Sequence, residues 1–153
     1  THTHTHTHTH THTHTPPPPH PTDAVQQQGN DLRWGVSAMQ GWRVSMEDDH
    51  VHVSDLGVAA PGYGFYGVFD GHGGDNCAHI VAAKFVEHIT SQPGFTAAAK
   101  SNDVEALKVC LKQAHFDLDA LMWAMPSFNN LSDRSGCPSV TALVSPTFVI
   151  VTR

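Results

Sequence analysis

The clearest hydrophobic period in the chain repeats every three to four residues and predicts two helices. Over residues 75–90, apolar side chains recur at every fourth position: Cys77, Val81, Phe85 and Ile89. A second helix is predicted over 102–125, where apolar spacings of three and four alternate and Asn102 precedes Glu105 as in a capping box. Pro126 ends this helix, because proline cannot continue one.

Short apolar runs between turn residues predict the strands. The most strand-like run is 65–69, Phe-Tyr-Gly-Val-Phe, which is typical of a buried central strand. Further extended segments are predicted over 33–37 and 42–53, and a final hairpin over 140–144 and 148–151. Because loops join the early strands and the last pair is a hairpin, we predict an α+β fold with antiparallel sheets covered by helices.

The beginning of the chain is built differently from the rest. Thr1–Thr15 alternates threonine and histidine, and proline-rich and glutamine-rich stretches follow it. We predict a disordered tail over 1–31 and one partial domain over 32–153, because the tail has few apolar side chains to offset the entropy of ordering. If the tail were extended, its histidines would share one face, so a metal-binding or pH-responsive arm is one hypothesis for function.

Charge and composition exclude several classes of protein. The formal net charge is −6, which argues against a nucleic-acid partner. No apolar run approaches the roughly 18–20 residues of a membrane span. Three widely spaced cysteines do not form a disulfide framework, so we expect an intracellular protein of the cytoplasm or nucleus.

Two polar clusters carry candidate chemistry. In the first, over 43–50, a strand would place Arg43, Ser45 and Glu47 on one face and Asp48 on the other. A solvated strand end is the simpler interpretation of that acidic run. In the second, Asp70 follows the central strand, and Gly71, His72 and two more glycines come before a helix.

A hard divalent cation would compensate the charge of Asp70 at the tip of a buried strand. Gly71 would let its carbonyl approach such an ion, and His72 supplies a group suited to proton transfer near neutral pH. A glycine turn with an Asx-type hydrogen bond is the alternative. Phosphate-binding P-loop, dinucleotide-binding, lipase and Asp-x-Asp phosphotransferase motifs are all absent from the sequence.

Three motifs together resemble the PP2C (PPM-type) metal-dependent serine/threonine protein phosphatases. They are Trp34 to Arg43 with Met46-Glu47-Asp48, then Val68-Phe69-Asp70-Gly71-His72-Gly73-Gly74, then Arg134-Ser135-Gly136 before a hairpin. The resemblance implies a four-layer α-β-β-α sandwich and two Mn²⁺ or Mg²⁺ ions. A water bridging the two ions would hydrolyse phosphoserine and phosphothreonine in protein substrates. We expect the complete protein to be monomeric.

The same resemblance assigns roles to individual residues. Asp70 would bridge both ions, and Gly71 would offer its carbonyl oxygen to one of them. Glu47 would hold metal-bound water, with Asp48 supporting the site. Arg43 would bind the substrate phosphate, and His72 would protonate the leaving oxygen.

The chain departs from the family pattern in two respects. Ser135-Gly136 is followed by Cys137-Pro138, where the family commonly has Ser/Thr-Thr; we expect Cys137 to be a packed thiol. Later Asp-Gly and Asp-Asn motifs of the family, which supply further metal-binding carboxylates, are missing. We therefore expect an N-terminal half of the domain that is inactive alone. A non-catalytic, phosphatase-like binding module is the alternative.

Overall fold

The computed structural model describes residues 34–153, and the predicted tail over 1–31 lies outside them. The described chain forms a four-stranded sheet and four helices, with a 3₁₀ turn at Gly57–Ala59. The strands and helices are β1 Asp49–Val53, β2 Gly64–Phe69, α1 Asn76–Thr90, α2 Phe95–Ser101, α3 Val104–Ala124, α4 Pro126–Asn129, β3 Ser139–Val144 and β4 Val149–Thr152.

The sheet is antiparallel throughout, in the order β1-β2-β3-β4. All four helices lie between β2 and β3 in the sequence. The predicted combination of helices with an antiparallel sheet is therefore confirmed, as are the central position of 65–69 and the final hairpin. Within residues 34–153, no helix has both the length and the apolar character needed to cross a bilayer.

One face of the sheet forms the hydrophobic core with the helices. Side chains alternate along a strand, so Phe65 and Phe69 point to the same side, and both are fully buried. Phe85 of α1 stacks on Phe65 with ring centroids 4.9 Å apart. His115 of α3 also contacts Phe85, with ring centroids 4.7 Å apart in an edge-on arrangement. The predicted apolar stripe of the first helix is thus the side that packs on the sheet.

The opposite face of the sheet is also apolar but largely open. Val68, Val140, Val149 and Val151 lie on this outer face, and each is between 55% and 63% exposed. Trp34 covers one end of it by packing on His52 in a tilted arrangement, with ring centroids 4.2 Å apart. Apolar side chains on both faces are typical of a sheet that lies between two layers.

Two predicted extended segments differ from the structure: 33–37 was wrong over its described residues 34–37, and 42–53 was wrong over 42–48 but confirmed over Asp49–Val53. Residues 34–40 have no regular structure and 41–45 form a turn with bends, so the sheet begins only at Asp49. The supposed shared face of Arg43, Ser45 and Glu47 therefore does not exist, because alternation requires an extended strand.

The start of the long helix also differs from the prediction. Residues 95–101 form the separate helix α2, and Asn102 ends it in the left-handed conformation with φ 54°. Asp103, rather than Asn102, is the N-cap of α3: its side chain accepts a hydrogen bond of 3.0 Å from the backbone N–H of Ala106.

Candidate active site

The loop that follows β2 is held between two parts of the chain that are distant in sequence. The Asp70 N–H donates to the carbonyl of Pro138 at 3.0 Å. His72 and Gly136 exchange two backbone hydrogen bonds, each 2.9 Å long. These bonds continue the β2–β3 pairing beyond its regular end and hold the Asp70-Gly71-His72 backbone in place. The side chains of Asp70 and His72 remain exposed.

Glu47 closes the same loop from the other side. Gly71 is buried, and a Cβ atom there would overlap the carbonyl oxygen of Glu47. The Glu47 Oε1 atom accepts a hydrogen bond of 3.1 Å from the N–H of Gly74. Gly74 has φ 126°, a conformation that residues with a side chain rarely adopt. The structure thus brings Glu47 and Gly71 into direct contact.

The strand register explains this contact and locates two more carboxylates. In the β1–β2 ladder Asp49 pairs with Phe69. Extending an antiparallel register by one position sets Asp48 opposite Asp70, and by two sets Glu47 opposite Gly71. The close approach of Glu47 and Gly71 agrees with that extension. Candidate acids from two separate motifs therefore lie at one end of the β1–β2 pair.

Arg43 lies in the exposed bends before β1. Its carbonyl oxygen accepts a hydrogen bond of 2.8 Å from Gln40 Nε2. Within residues 34–153, no ion pair joins the Arg43 guanidinium to a carboxylate. Asp48 borders a cavity of about 280 Å³ on the outer side of the sheet, together with His50 and Val68. The structure does not bring Arg43 into contact with the other candidates.

A second set of polar residues, not predicted from the sequence, fastens the third motif to α1. The Asp133 carboxylate accepts from the N–H and the hydroxyl of Ser135, at 2.8 and 2.7 Å, and from Asn76 Nδ2 at 2.6 Å. The Ser135 hydroxyl in turn accepts from the N–H of Cys77 at 3.0 Å. The hydrogen bond from Asn76, followed by those from Ser135, holds the pKa of Asp133 below its usual value. The Asp-x-Ser spacing at 133–135 is an Asx-turn signal that could have indicated part of this set.

Asp49 has a structural partner. Its Oδ2 atom lies 2.8 Å from Nδ1 of His79, and Nε2 of the same ring lies 3.6 Å from Asp75. These contacts join β1 to the first turn of α1. Of the three consecutive acids, Asp49 is the one with a histidine ion-pair partner within residues 34–153, and Glu47 and Asp48 remain as candidate ligands.

The chemistry of the remaining donors fits a hard divalent cation. Glu47, Asp48 and Asp70 offer carboxylate oxygens, and Gly71 offers a carbonyl oxygen in a position that a side chain would fill. Oxygen donors are those that Mg²⁺ and Mn²⁺ prefer. Across residues 34–153, no three His, Cys, Asp or Glu side chains converge closely enough to enclose an ion. Residues 34–153 thus present oxygen donors of the right chemical kind but no finished metal cage.

Comparison with known proteins identifies the family. The sequence model described as "Protein phosphatase 2C" matches residues 32–153. The chain belongs to the protein phosphatase 2C family. Human "Protein phosphatase 1A" is 38% identical over 121 residues, a match that covers 79% of this chain and 32% of that protein. Mouse "Protein phosphatase 1B" is 39% identical over 124 residues, covering 78% of this chain and 32% of that protein.

The chain therefore spans about a third of the length of these curated relatives. The match to the protein phosphatase 2C family includes every candidate residue, since Arg43, Glu47, Asp48, Asp70, Gly71 and His72 all lie within 32–153. It also includes the segment around Ser135 that pairs with the His72 loop. Family membership and the contacts described above thus concern the same part of the chain.

Proposed function

We propose that this chain is part of a metal-dependent protein phosphatase that hydrolyses phosphoserine and phosphothreonine. The observation that carries the proposal is the contact of the Asp70-Gly71-His72 loop with Glu47 at the end of the β1–β2 pair. Both sides of this contact lie within residues 32–153, which match the protein phosphatase 2C family.

Glu47, Asp48, Asp70 and the carbonyl of Gly71 would hold Mn²⁺ or Mg²⁺. When bound, such ions polarise a phosphoryl group and lower the pKa of water. Arg43, in the bends beside these acids, would bind the phosphate through charge-assisted hydrogen bonds. Glu47 would orient the attacking water through its carboxylate, whose other contact is the Gly74 N–H.

His72 would supply the proton that the leaving group needs. Hydrolysis forms a bond from a water oxygen to phosphorus and breaks the bond from phosphorus to the serine or threonine oxygen, which must gain a proton. The His72 backbone is fixed by its two hydrogen bonds to Gly136, while its exposed ring can reach a substrate. General acid catalysis of this kind typically accelerates a reaction by about 10²–10⁴-fold.

We also propose that activity requires segments beyond this chain. Four protein donors leave most of the coordination positions of two six-coordinate ions to water, so we expect tight binding of both ions to need further protein ligands. The open outer face of the sheet, with Val68 and Val140 exposed, supports a second sheet layer and hence the four-layer sandwich. By itself, the 153-residue chain should give no chelator-sensitive phosphatase turnover.

The experiment compares variants of the full-length protein in Mn²⁺ with an aryl phosphate and a phosphothreonine peptide. Asp70→Asn keeps the shape but removes the charge, and it should lower turnover more than about 100-fold and raise the Mn²⁺ concentration required. Glu105→Gln is the control, because Glu105 is an exposed acid on α3 whose partner is Lys108. Equal activity of the two variants would contradict the metal-binding role of Asp70. Absence of chelator-sensitive turnover in the unmodified full-length protein would favour a non-catalytic binding module.

The role of His72 has its own signature. Nitrophenolate leaves readily without a proton, whereas a threonine alkoxide does not. His72→Gln should therefore slow peptide hydrolysis by about 10²–10⁴-fold and affect nitrophenyl phosphate far less. His88→Gln on α1 is the matched control. Equal losses on both substrates would contradict the assignment of His72 as the acid.

A further inference from the structure

Three sulfur atoms meet beside the candidate active site and have no part in the proposed phosphatase mechanism. Cys77 Sγ lies 3.4 Å from Cys137 Sγ and 3.4 Å from Met122 Sδ. Cys77 is in the first turn of α1, and Cys137 precedes β3. The two cysteines are 60 positions apart in sequence, so only the fold brings them together.

We propose that Cys77 and Cys137 are a site of reversible oxidation, at which hydrogen peroxide converts the two thiols into a disulfide. The sulfur atoms need to approach by only about 1.4 Å to reach the bond length of about 2.05 Å. Cys137 directly follows Gly136, whose backbone pairs with His72.

Cys77 is the thiol that reacts first. The hydrogen bond with Cys137 lowers the pKa of Cys77, although burial and nearby Asp133 oppose that shift. The same hydrogen bond and burial raise the pKa of Cys137. A position in the first turn of a helix also favours a thiolate. Cys77 is therefore the nucleophile and Cys137 the resolving thiol.

Peroxide has a route to both sulfur atoms. Cys77 and Cys137 border one cavity of about 210 Å³, which Trp123 and Phe128 also line. Cys137 is only partly buried. Cys110 provides an internal comparison: it is buried like Cys77, but its Sγ atom donates to the Pro93 carbonyl at 4.0 Å, and burial raises its pKa.

The chemistry balances in two steps. The Cys77 thiolate attacks one oxygen of hydrogen peroxide, the O–O bond breaks, and hydroxide leaves to give a sulfenic acid. The Cys137 thiol then attacks that sulfur, and the sulfenic oxygen leaves as water with the thiol proton. Overall, two thiols lose two electrons and two protons, and one peroxide becomes two waters.

A second part of the proposal, which rests on the proposed phosphatase function, is that the disulfide slows turnover. Closing the gap of about 1.4 Å would pull Cys137, and with it the Gly136 backbone, towards α1. A Cβ on Gly136 would lie 2.8 Å from His72 Nε2, so the ring and this backbone are already in close contact. A displacement of about 1 Å near reacting groups can cost about 100-fold in rate.

The test is peptide mapping of the full-length protein after brief exposure to hydrogen peroxide and alkylation of remaining thiols. Trypsin releases Cys77 within 44–84, Cys137 within 135–153 and Cys110 within 109–112. We expect peptides 44–84 and 135–153 to be cross-linked after peroxide and to separate after reduction. This cross-link should form at least about tenfold faster than any oxidation product of Cys110. Cys110→Ser should behave as the wild type.

Cys137→Ser introduces a residue that the family commonly has at this position, so the fold should tolerate it. In this variant the cross-link should be absent, and a dimedone probe should trap the sulfenic acid of Cys77. The proposal would be overturned if Cys110 were oxidised as fast as Cys77, or if peroxide oxidised Met122 to its sulfoxide and produced no cross-link. If the cross-link forms but turnover neither falls on oxidation nor changes on reduction, only the proposed effect on turnover is overturned. The disulfide itself is tested by the peptide mapping, which does not depend on activity.

Discussion

Adding a single methyl group at Gly71 should disable the candidate site. An ideal Cβ on Gly71 overlaps the carbonyl oxygen of Glu47 and lies 2.7 Å from its carbonyl carbon. Non-bonded carbon atoms prefer about 3.5–4.0 Å, so the Glu47 backbone must retreat by roughly 1 Å. Gly71 is not in the left-handed region, and the cost of Gly71→Ala is therefore steric.

The contact is between two backbone segments, which cannot swing aside as a flexible side chain does. Forcing an extra group into such a packed position typically costs about 1–3 kcal/mol. That loss should lower the thermal midpoint of the full-length protein by a few degrees, since domains of more than about 150 residues shift by about 2–4 °C per kcal/mol or less. A shift of about 1 Å in Glu47 should lower the rate about 100-fold, beyond any loss of folded protein.

Gly35→Ala is the matched control, because a Cβ on Gly35 has no atom within 4 Å. We would measure kcat/KM with Mn²⁺ and the thermal midpoint for both variants of the full-length protein. Gly35→Ala should leave both quantities nearly unchanged. If Gly71→Ala stayed within about twofold of that control in activity, the contact between Gly71 and Glu47 could not be what positions the acids.

Three further substitutions test other contacts described above. Gly136→Ala sets a Cβ 2.8 Å from the movable His72 ring, so stability should change little while phosphopeptide turnover falls more than nitrophenyl phosphate turnover. Asp133→Ala should lower the thermal midpoint at neutral pH. Because folding depresses the pKa of Asp133, the stability that this carboxylate contributes is lost as pH falls below about 4, so the thermal midpoints of the wild type and of Asp133→Ala should converge there. Asp103→Ala removes the N-cap of α3 and should cost about 1 kcal/mol in denaturant unfolding, whereas Asp103→Asn should largely retain it.

The helices and the hairpin could be predicted because burial on one side of an element creates the sequence period. Phe85 and Ile89 recur at helical spacing, and both are fully buried against the sheet or its neighbouring helices. Thr141 and Leu143 alternate with exposed or half-buried neighbours in the same way along β3. For the helices the sequence pattern is a direct trace of the core, whereas in β3 the apolar Val140 is 55% exposed and the polar Thr141 is buried, so that alternation does not show which face is covered.

The errors fall where that trace is short or ambiguous. Residues 42–48 alternate like a strand, but the alternation reflects no burial on one face, and the chain turns there instead. The seven-residue helix α2 spans only two turns, too few for a period of 3.6 to be recognised. Asn102 and Asp103 are both good capping residues, and only the left-handed φ of Asn102 shows which of them ends one helix and which begins the next.

The candidate ligands were predicted from local motifs, but the hydrogen bonds that join the Ser135 segment to α1 were not. Asp133 and Asn76 are 57 positions apart, and Ser135 and Cys77 are 58 apart. No periodicity or motif spacing connects residues so distant in sequence. The roles of Arg43, Asp48, Glu47, Asp70, Gly71 and His72 stay predictions, which the variants above would test.

The core and the candidate site are linked through one strand register. The pairing of Asp49 with Phe69 is maintained because it buries Phe65 and Phe69 against Phe85. A slip of one residue would turn both β2 rings towards the open face, at a cost of about 1.5–3 kcal/mol for each exposed aromatic side chain. The same slip would separate Glu47 from Gly71. The aromatic core therefore selects the register in which the acids of two separate motifs meet, and the site inherits its geometry from packing that no substrate touches.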